Sequence, residues 1–450
     1  MKMKIKTMEQ SWSPWNRNRR RGISILRFTC LSVTTYIVFG SVLTSSWGGE
    51  RPNLLLILAD DLGVETLGCY GGRTYETPHL DRLASQGMRF DHCYSMAVCH
   101  PTRLTLMTGR YPFRWNHPKW GTFPRDAEKT SLGRLLQDRG YTTAVAGKWQ
   151  LTLLKDDLDH PVRLGFDEYC LFGWHEGARY FDPWIYENGK KRNDVSDQYG
   201  PDVYTDFLID FMKRNRQNPF CAFYSMALCH DVTDDLENPV PYGPDGRYEN
   251  YLEMVESMDR KIGRLMQALE DLQLADNTVV IFTSDNGTPQ RMILTAENGQ
   301  YQRVPVQSDW RGTLIPGGKG KLTDSGTHVP MIVRWPAEIH GGQETDALVD
   351  MSDFLPSFHE LAGANSSLSN VDGVSFVRTL KNPSQSNRSW VFAEHGKRSW
   401  VRDRQWKLYN DGKLFLVHDV DKEERVELRQ LSPTQQKQVK RLKQVQVDLK

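Results

Sequence analysis

Cysteine is scarce and shows no pairing pattern. Seven occur in 450 residues. None of the six beyond the N-terminal segment stands in a CxxC pair, which disfavours zinc, and a chain of this size does not need a disulfide scaffold. Excess charge is also missing. The formal net charge is +1, so nothing global points to nucleic-acid binding. One local basic run, Lys437 to Lys443, reads as a solvated helix face. Internal repeats and low-complexity segments are absent as well. What remains is ordinary for a soluble globular enzyme, with 25% charged and 39% hydrophobic residues. The length suits one large domain and a smaller one.

The N-terminus differs from the rest. Arg17, Arg19, Arg20 and Arg21 precede an apolar stretch from Ile23 to Trp47. Positive charge followed by an apolar segment is the layout of a secretory signal. The stretch is long for a cleaved signal, and Arg27 interrupts it, so an uncleaved membrane anchor stays open. Residues 1–48 are therefore expected to be a targeting segment, with the protein periplasmic or secreted. The expected division continues as a catalytic domain over 49–365 and a C-terminal subdomain over 366–450.

Short apolar runs follow: Leu54 to Ala59, Thr142 to Ala146, Phe220 to Ala227, Thr278 to Thr283 and Val329 to Val333. They lack strict alternation, as parallel strands covered on both faces do. Amphipathic stretches separate them, namely Thr77 to Gln86, Ser131 to Arg139, Tyr204 to Asn215 and Tyr248 to Leu272. Strands alternating with helices predict a doubly wound α/β sheet with helices on both faces. After residue 366 the runs are shorter and turn-separated, which predicts a small antiparallel sheet followed by a helix from Pro433.

The strand ends carry the chemistry. The first runs into Asp60-Asp61, the second into Gly147-Lys148-Trp149, the third into Cys229-His230-Asp231 and the fourth into Ser284-Asp285-Asn286-Gly287. Ligands in open α/β sheets bind outside the carboxyl ends of strands. Asp60, Asp61, Asp285 and Asn286 offer only oxygen ligands, which select a hard cation such as calcium or magnesium. Asn286-Gly287-Thr288 also matches a glycosylation acceptor, but a metal ligand cannot be glycosylated, so that match is read as accidental.

Cys99-His100-Pro101-Thr102-Arg103 followed by Thr108-Gly109-Arg110 resembles the C-x-P-x-R signature of the type I sulfatases. The likeness extends over nearly all of the chain after residue 48, through RPNLLLILADDLG, GKW, FTSDNG, GGKGKLTDSGTHVPMIVRWP and WKLY. It implies an alkaline-phosphatase-like mixed sheet. It also implies that a maturation enzyme oxidises Cys99 to formylglycine. In this family the aldehyde hydrates, one hydroxyl attacks sulfur and the other helps expel the sulfate. By the same resemblance Asp60, Asp61, Asp285 and Asn286, with modified Cys99, hold one calcium ion. Arg103 supports the hydrate, Lys148 binds sulfate, and His230 and Lys319 face the leaving oxygen. Lys321, two residues on, could exchange roles with Lys319.

Three departures qualify this. The family's G-K-W-H-L-G appears as GKWQLT, with Gln150 where a histidine is usual, and an amide cannot take up a proton near neutral pH. Its Y-E-G-G appears as Thr323-Asp324-Ser325-Gly326, and Thr102 replaces a serine. The aromatic segment Phe172 to Lys190, with His175 and Arg179, suits either a packed loop or a sugar-binding surface. The segment Gln290 to Trp310 is expected to form a rim loop. The sequence thus favours a sulfatase acting on a sulfated carbohydrate or an aryl sulfate. A phosphonate or phosphate monoester hydrolase, or a binding protein that has lost turnover at Gln150, are the alternatives.

Overall fold

The computed structural model describes residues 51–231, 250–297, 300–420 and 422–449. The targeting segment expected over 1–48 lies outside them. Strands run in order as β1 (Asn53–Ala59), β2 (Met88–Tyr94), β3 (Thr142–Gly147), β4 (Glu168–Phe172), β5 (Ile185–Glu187), β6 (Lys190–Lys191), β7 (Phe220–Ser225) and β8 (Thr278–Ser284). Two hairpins follow, β9 (Arg291–Glu297) with β10 (Gln300–Pro305) and β11 (Gln307–Trp310) with β12 (Thr313–Pro316). Then come β13 (His328–Arg334) and β14 (Gln343–Asp350). The segment expected to be a rim loop is therefore largely hairpin.

Ten of these strands form one sheet in the order β14-β2-β13-β8-β1-β7-β3-β4-β5-β6. The central strands β8, β1, β7 and β3 are mutually parallel, whereas β13 is antiparallel to both its neighbours. The apolar run at Val329 to Val333 thus marked double-sided burial correctly and direction not at all. β1 explains why the sheet has two covered faces. Leu55, Ile57 and Ala59 join one core with the helices Pro78–Ser85, Gly200–Arg214 and Tyr251–Asp271. Leu54, Leu56 and Leu58 join the other, with Cys99–Thr108, Leu132–Gln137 and Phe354–Leu361. Every residue of the strand is buried, and each such leucine contributes about 1.5–3 kcal/mol by leaving water.

The C-terminal sheet is antiparallel, as expected: β15 (Val391–His395), β16 (Arg398–Arg402), β17 (Trp406–Tyr409), β18 (Leu414–Asp419) and β19 (Lys422–Val426), followed by the helix Pro433–Asp448. The helix starts cleanly because Ser432 and Gln435 form a capping box. A third core joins this sheet to the main one through Tyr94, Met96, Tyr111, Trp400 and Trp406.

Buried charge ties the junction. Arg402 reaches both oxygens of Asp324, at 2.7 and 2.6 Å, and Lys407 pairs with the same carboxylate. His328 stacks on Tyr94 at 5.0 Å, and its Nε2 lies 2.8 Å from the Asp91 carbonyl. Burial, with Arg402 and Lys407 nearby and only partly offset by Asp324, lowers its pKa from 6.5 to about 4. The unfolded chain therefore takes up a proton that the folded chain refuses between those values, so stability falls as pH drops from about 6.5 to 4. His328→Gln, which can still donate to Asp91, should show a smaller loss of thermal midpoint between pH 6.5 and 4.5 than the wild type. Identical pH profiles by scanning calorimetry would show that His328 is not the source.

Candidate active site

Because β8, β1, β7 and β3 are adjacent and parallel, the residues following them emerge at one edge of the sheet. Backbone hydrogen bonds then lock these tips together. Asp60 N donates to Leu228 O at 2.8 Å, Asp285 N to Ala59 O at 3.1 Å, Leu62 N to Asn286 O at 3.0 Å and Lys148 N to Ser225 O at 2.6 Å. Gly147 makes the last bond possible. Its φ is 101°, and a Cβ there would lie 2.1 Å from Ser225 O, so a side chain would both strain and clash. The loop bearing Lys319 is tied in the same way, through Lys319 N to Thr288 O at 2.9 Å and Gly320 N to Ala97 O at 2.8 Å.

Side chains at this edge form a buried lattice of alternating charge. Asp60 pairs with Lys148, both fully buried. Asp285 Oδ2 receives Arg103 Nε at 2.8 Å and lies 2.7 Å from Arg103 Nη2. Lys319 Nζ donates to Asp61 Oδ2 at 2.6 Å. Arg103 also reaches the Ser225 hydroxyl, which in turn donates to Lys148 O at 2.5 Å. Burial alone would raise every one of these acids. At Asp60, Lys148 together with His230, Arg103 and Lys319 outweighs it and holds the carboxyl far below its usual range. At Asp285, burial and the charge of Asp60 win against Arg103, and the pKa rises to about 7. Asp61 is raised as well, by burial first, with Asp60 adding to it and Lys319 opposing.

Two buried oxygens in this lattice have no donor, Asp60 Oδ1 and Asn286 Oδ1. The Asn286 amide faces inward because its Nδ2 donates to Asp61 Oδ1 at 2.8 Å and to Gly287 O at 2.9 Å. Leaving such an acceptor unpaired costs about 1–3 kcal/mol. One carboxylate oxygen from each of Asp60 and Asp285 and the sulfur of Cys99 lie within 4.8 Å of one another. An oxygen-rich pocket with unpaired acceptors fits a hard cation, so the residues present suit the calcium ion that the sequence motifs imply.

Cys99 is the first residue of the helix Cys99–Thr108, and no side chain caps that end. Its amide end directs partial positive charge at the same pocket. His230, after β7, completes the ring of cationic and donor groups. Its Nδ1 lies 3.0 Å from Arg179 Nη1 and 2.6 Å from Asp231 O, while Tyr180 hydroxyl donates to His230 O at 2.8 Å. Burial, and then Lys319, hold the imidazole well below its usual pKa, so it is neutral at pH 7.

The structure brings Asp60, Asp61, Cys99, Arg103, Lys148, His230, Asp285, Asn286 and Lys319 together. Lys321 is exposed, whereas Lys319 reaches Asp61. Gln150 is buried in left-handed backbone, φ 59°, with an unpartnered Oε1. Arg179, left open between a packed loop and a sugar surface, is fully buried; its guanidinium lies over Trp174 at 4.5 Å and meets His230. His175 is exposed, 5.4 Å from the ring of Trp120. Sequence reasoning missed Ser225 and Trp120. Ser225 is the one serine in the FCAFYS strand, a usable signal; Trp120 sits in a turn-rich segment with none.

Lysines, an arginine and a helix terminus over a carboxylate pocket define a hydrolase of anionic esters. The family model described as Sulfatase matches residues 52–364, and the chain belongs to the sulfatase family and is a sulfuric ester hydrolase. A second model, described as N-sulphoglucosamine sulphohydrolase, C-terminal, matches residues 319–446. The chain is 29% identical to a steryl-sulfatase of Rattus norvegicus over 82% of this chain and 76% of that protein. It is 28% identical to a human N-acetylgalactosamine-6-sulfatase over 82% and 75%. Among solved structures, Ps i-CgsB in complex with k-i-k-neocarrahexaose superposes with a TM-score of 0.65 at 26% identity, covering 82% of this chain and 86% of that one. The sheet is accordingly the alkaline-phosphatase-like mixed sheet.

Removing one partner of a fully buried ion pair strands the other charge. Lys148→Met should therefore lower stability by about 3–5 kcal/mol, while Lys321→Met, at an exposed position, should stay within about 0.5 kcal/mol of wild type. Denaturant titration distinguishes them; equal effects would mean that Asp60 does not depend on Lys148.

Proposed function

We propose that the protein hydrolyses a sulfate monoester of a carbohydrate, with residue 99 oxidised to formylglycine and a calcium ion in the acid pocket. The carrying observation is the 4.8 Å cluster of Asp60, Asp285 and Cys99 at a helix terminus. Asp60, Asp61, Asp285 and Asn286 would hold the ion. Formylglycine would supply a hydrated-aldehyde nucleophile, and calcium would neutralise sulfate oxygens. Export by the N-terminal segment, to the periplasm or beyond, belongs to the same reading, as does oxidation of Cys99 by a maturation enzyme.

The chain's own residues account for binding and orientation. Arg103 is fixed from two sides, by Asp285 and by Ser225, and so presents a rigid donor beside residue 99. Three carboxylates facing Arg103, Lys148 and Lys319 are formally balanced; a divalent ion would leave the pocket positive, which favours an anionic ester and is only partly neutralised by it. Negative charge grows on the leaving oxygen as the ester breaks. Lys319, 23% exposed, is placed to meet it, with the His230 ring beside it as a hydrogen-bonding group. Such preorganised cations act without reorganising in the transition state. Gln150 offers an acceptor but no proton uptake, so a slow final step is expected relative to a histidine at that place. The carbohydrate preference draws support from the N-acetylgalactosamine-6-sulfatase likeness and the oligosaccharide complex.

Sulfate release from sugar sulfates and from 4-nitrophenyl sulfate, beside the matching phosphate esters, tests this. Cys99→Ala should abolish turnover, and Lys319→Ala should lower kcat by about 10²–10³-fold, with Lys321→Ala near wild type. Full activity of Cys99→Ala would sink the reading, clear preference for phosphate would move it to another ester, and tight binding without release would make it a binding protein.

A further inference from the structure

Beside Cys99 lies a cleft of about 280 Å³ that the strand tips do not build. Val98 and the first turn of the helix Cys99–Thr108 line it. One wall carries His117 and Trp120, and the other carries Glu394 and His395 from the end of β15. The C-terminal sheet therefore contributes side chains directly to the mouth of the site.

The two walls differ in chemistry. Trp120 is 42% exposed, yet its ring is held edge-on by Trp174 at 5.3 Å, and Trp174 lies 5.5 Å from Lys148 Nζ. An exposed aromatic face held by a buried one is a stacking platform that costs little ordering. Opposite it, Glu394 is only 8% exposed. Its Oε1 is buried without a hydrogen-bond partner and lies 3.4 Å from His117 Nδ1. The imidazole is thus the group nearest this oxygen, at a distance longer than a well-made hydrogen bond. Burial raises the Glu394 carboxyl to about 7, opposed by a hydrogen bond from the Phe113 backbone.

We infer that Glu394, with His117, clamps the sugar ring that bears the sulfate, accepting hydrogen bonds from its free hydroxyls while Trp120 stacks on its face. The inference rests on the sulfatase reading above and narrows its substrate to sugar sulfates with free ring hydroxyls. A flat aryl or steroid ester would leave Glu394 unpaired, so it would gain nothing from this wall.

The test compares kcat/KM for galactose 6-sulfate, N-acetylglucosamine 6-sulfate and 4-nitrophenyl sulfate in matured wild type, Glu394→Gln and His117→Asn. Glu394→Gln should lose about 10–100-fold more on the better sugar ester than on the aryl ester, the range for hydrogen bonds to a charged group. His117→Asn, at a 55% exposed position where folding is not at risk, should show the same selective loss, smaller but above threefold. Equal losses on sugar and aryl esters overturn the clamp, as does a wild type that cleaves only the aryl ester; the sulfatase reading survives both. A wild type with oxidised residue 99 that releases sulfate from none of the three overturns both.

Discussion

Everything at the functional edge depends on pairing buried carboxylates with buried cations. Taking an ion out of water costs several kcal/mol even after relaxation. Asp60 and Lys148 are both wholly buried, and Asp285 with Arg103 nearly so. Removing either member alone costs about 3–5 kcal/mol. That mutual requirement holds β1, β3, β8 and the Cys99 helix in register, because each supplies one member. It also leaves acceptor oxygens on Asp60 and Asn286 that no protein donor satisfies. The fold thus spends stability to keep oxygens aimed into a common space, which is how sites of function differ from sites of packing.

The C-terminal segment contributes more than coverage. Its third core fastens it to Tyr94, Met96 and Tyr111, close to the loop that leads into Cys99. Arg402 and Lys407 reach across to Asp324, which opens the short helix Asp324–Thr327 ahead of β13. A sheet anchored by buried charge can present a turn at a site with little play. This places Glu394 on a strand of the anchored sheet, while Trp120, in a turn, is braced by the buried ring of Trp174.

Much of the site was legible in the sequence because the relevant signals are local. An apolar run followed by Asp, Lys, His or Asp-Asn marks a strand tip, and adjacent parallel strands bring such tips together. The four runs feeding the site were read to within a residue or two. Strand direction was not legible: β13 reads like β8 yet runs antiparallel to it, since burial on two faces says nothing of polarity. β2 escaped notice because Arg89, Asp91 and His92 interrupt its apolar positions, and its burial is only partial. For Arg179 the sequence left a packed loop and a sugar-binding surface equally open, although charge implies exposure on average. Its contacts with Trp174 and His230, from distant parts of the chain, run against that average. Glu394 carried no motif at all, and its meaning arises only where β15 meets the Cys99 loop.

The central claim is that the acid pocket holds a hard cation. Titrating metal-stripped protein with calcium in a calorimeter tests it most directly. One ion per chain should bind saturably to the wild type, and Asp60→Asn or Asp285→Asn should abolish or greatly weaken that binding while leaving the chain folded. No saturable binding by folded wild type, or undiminished binding by a variant lacking both carboxylates, would contradict the account.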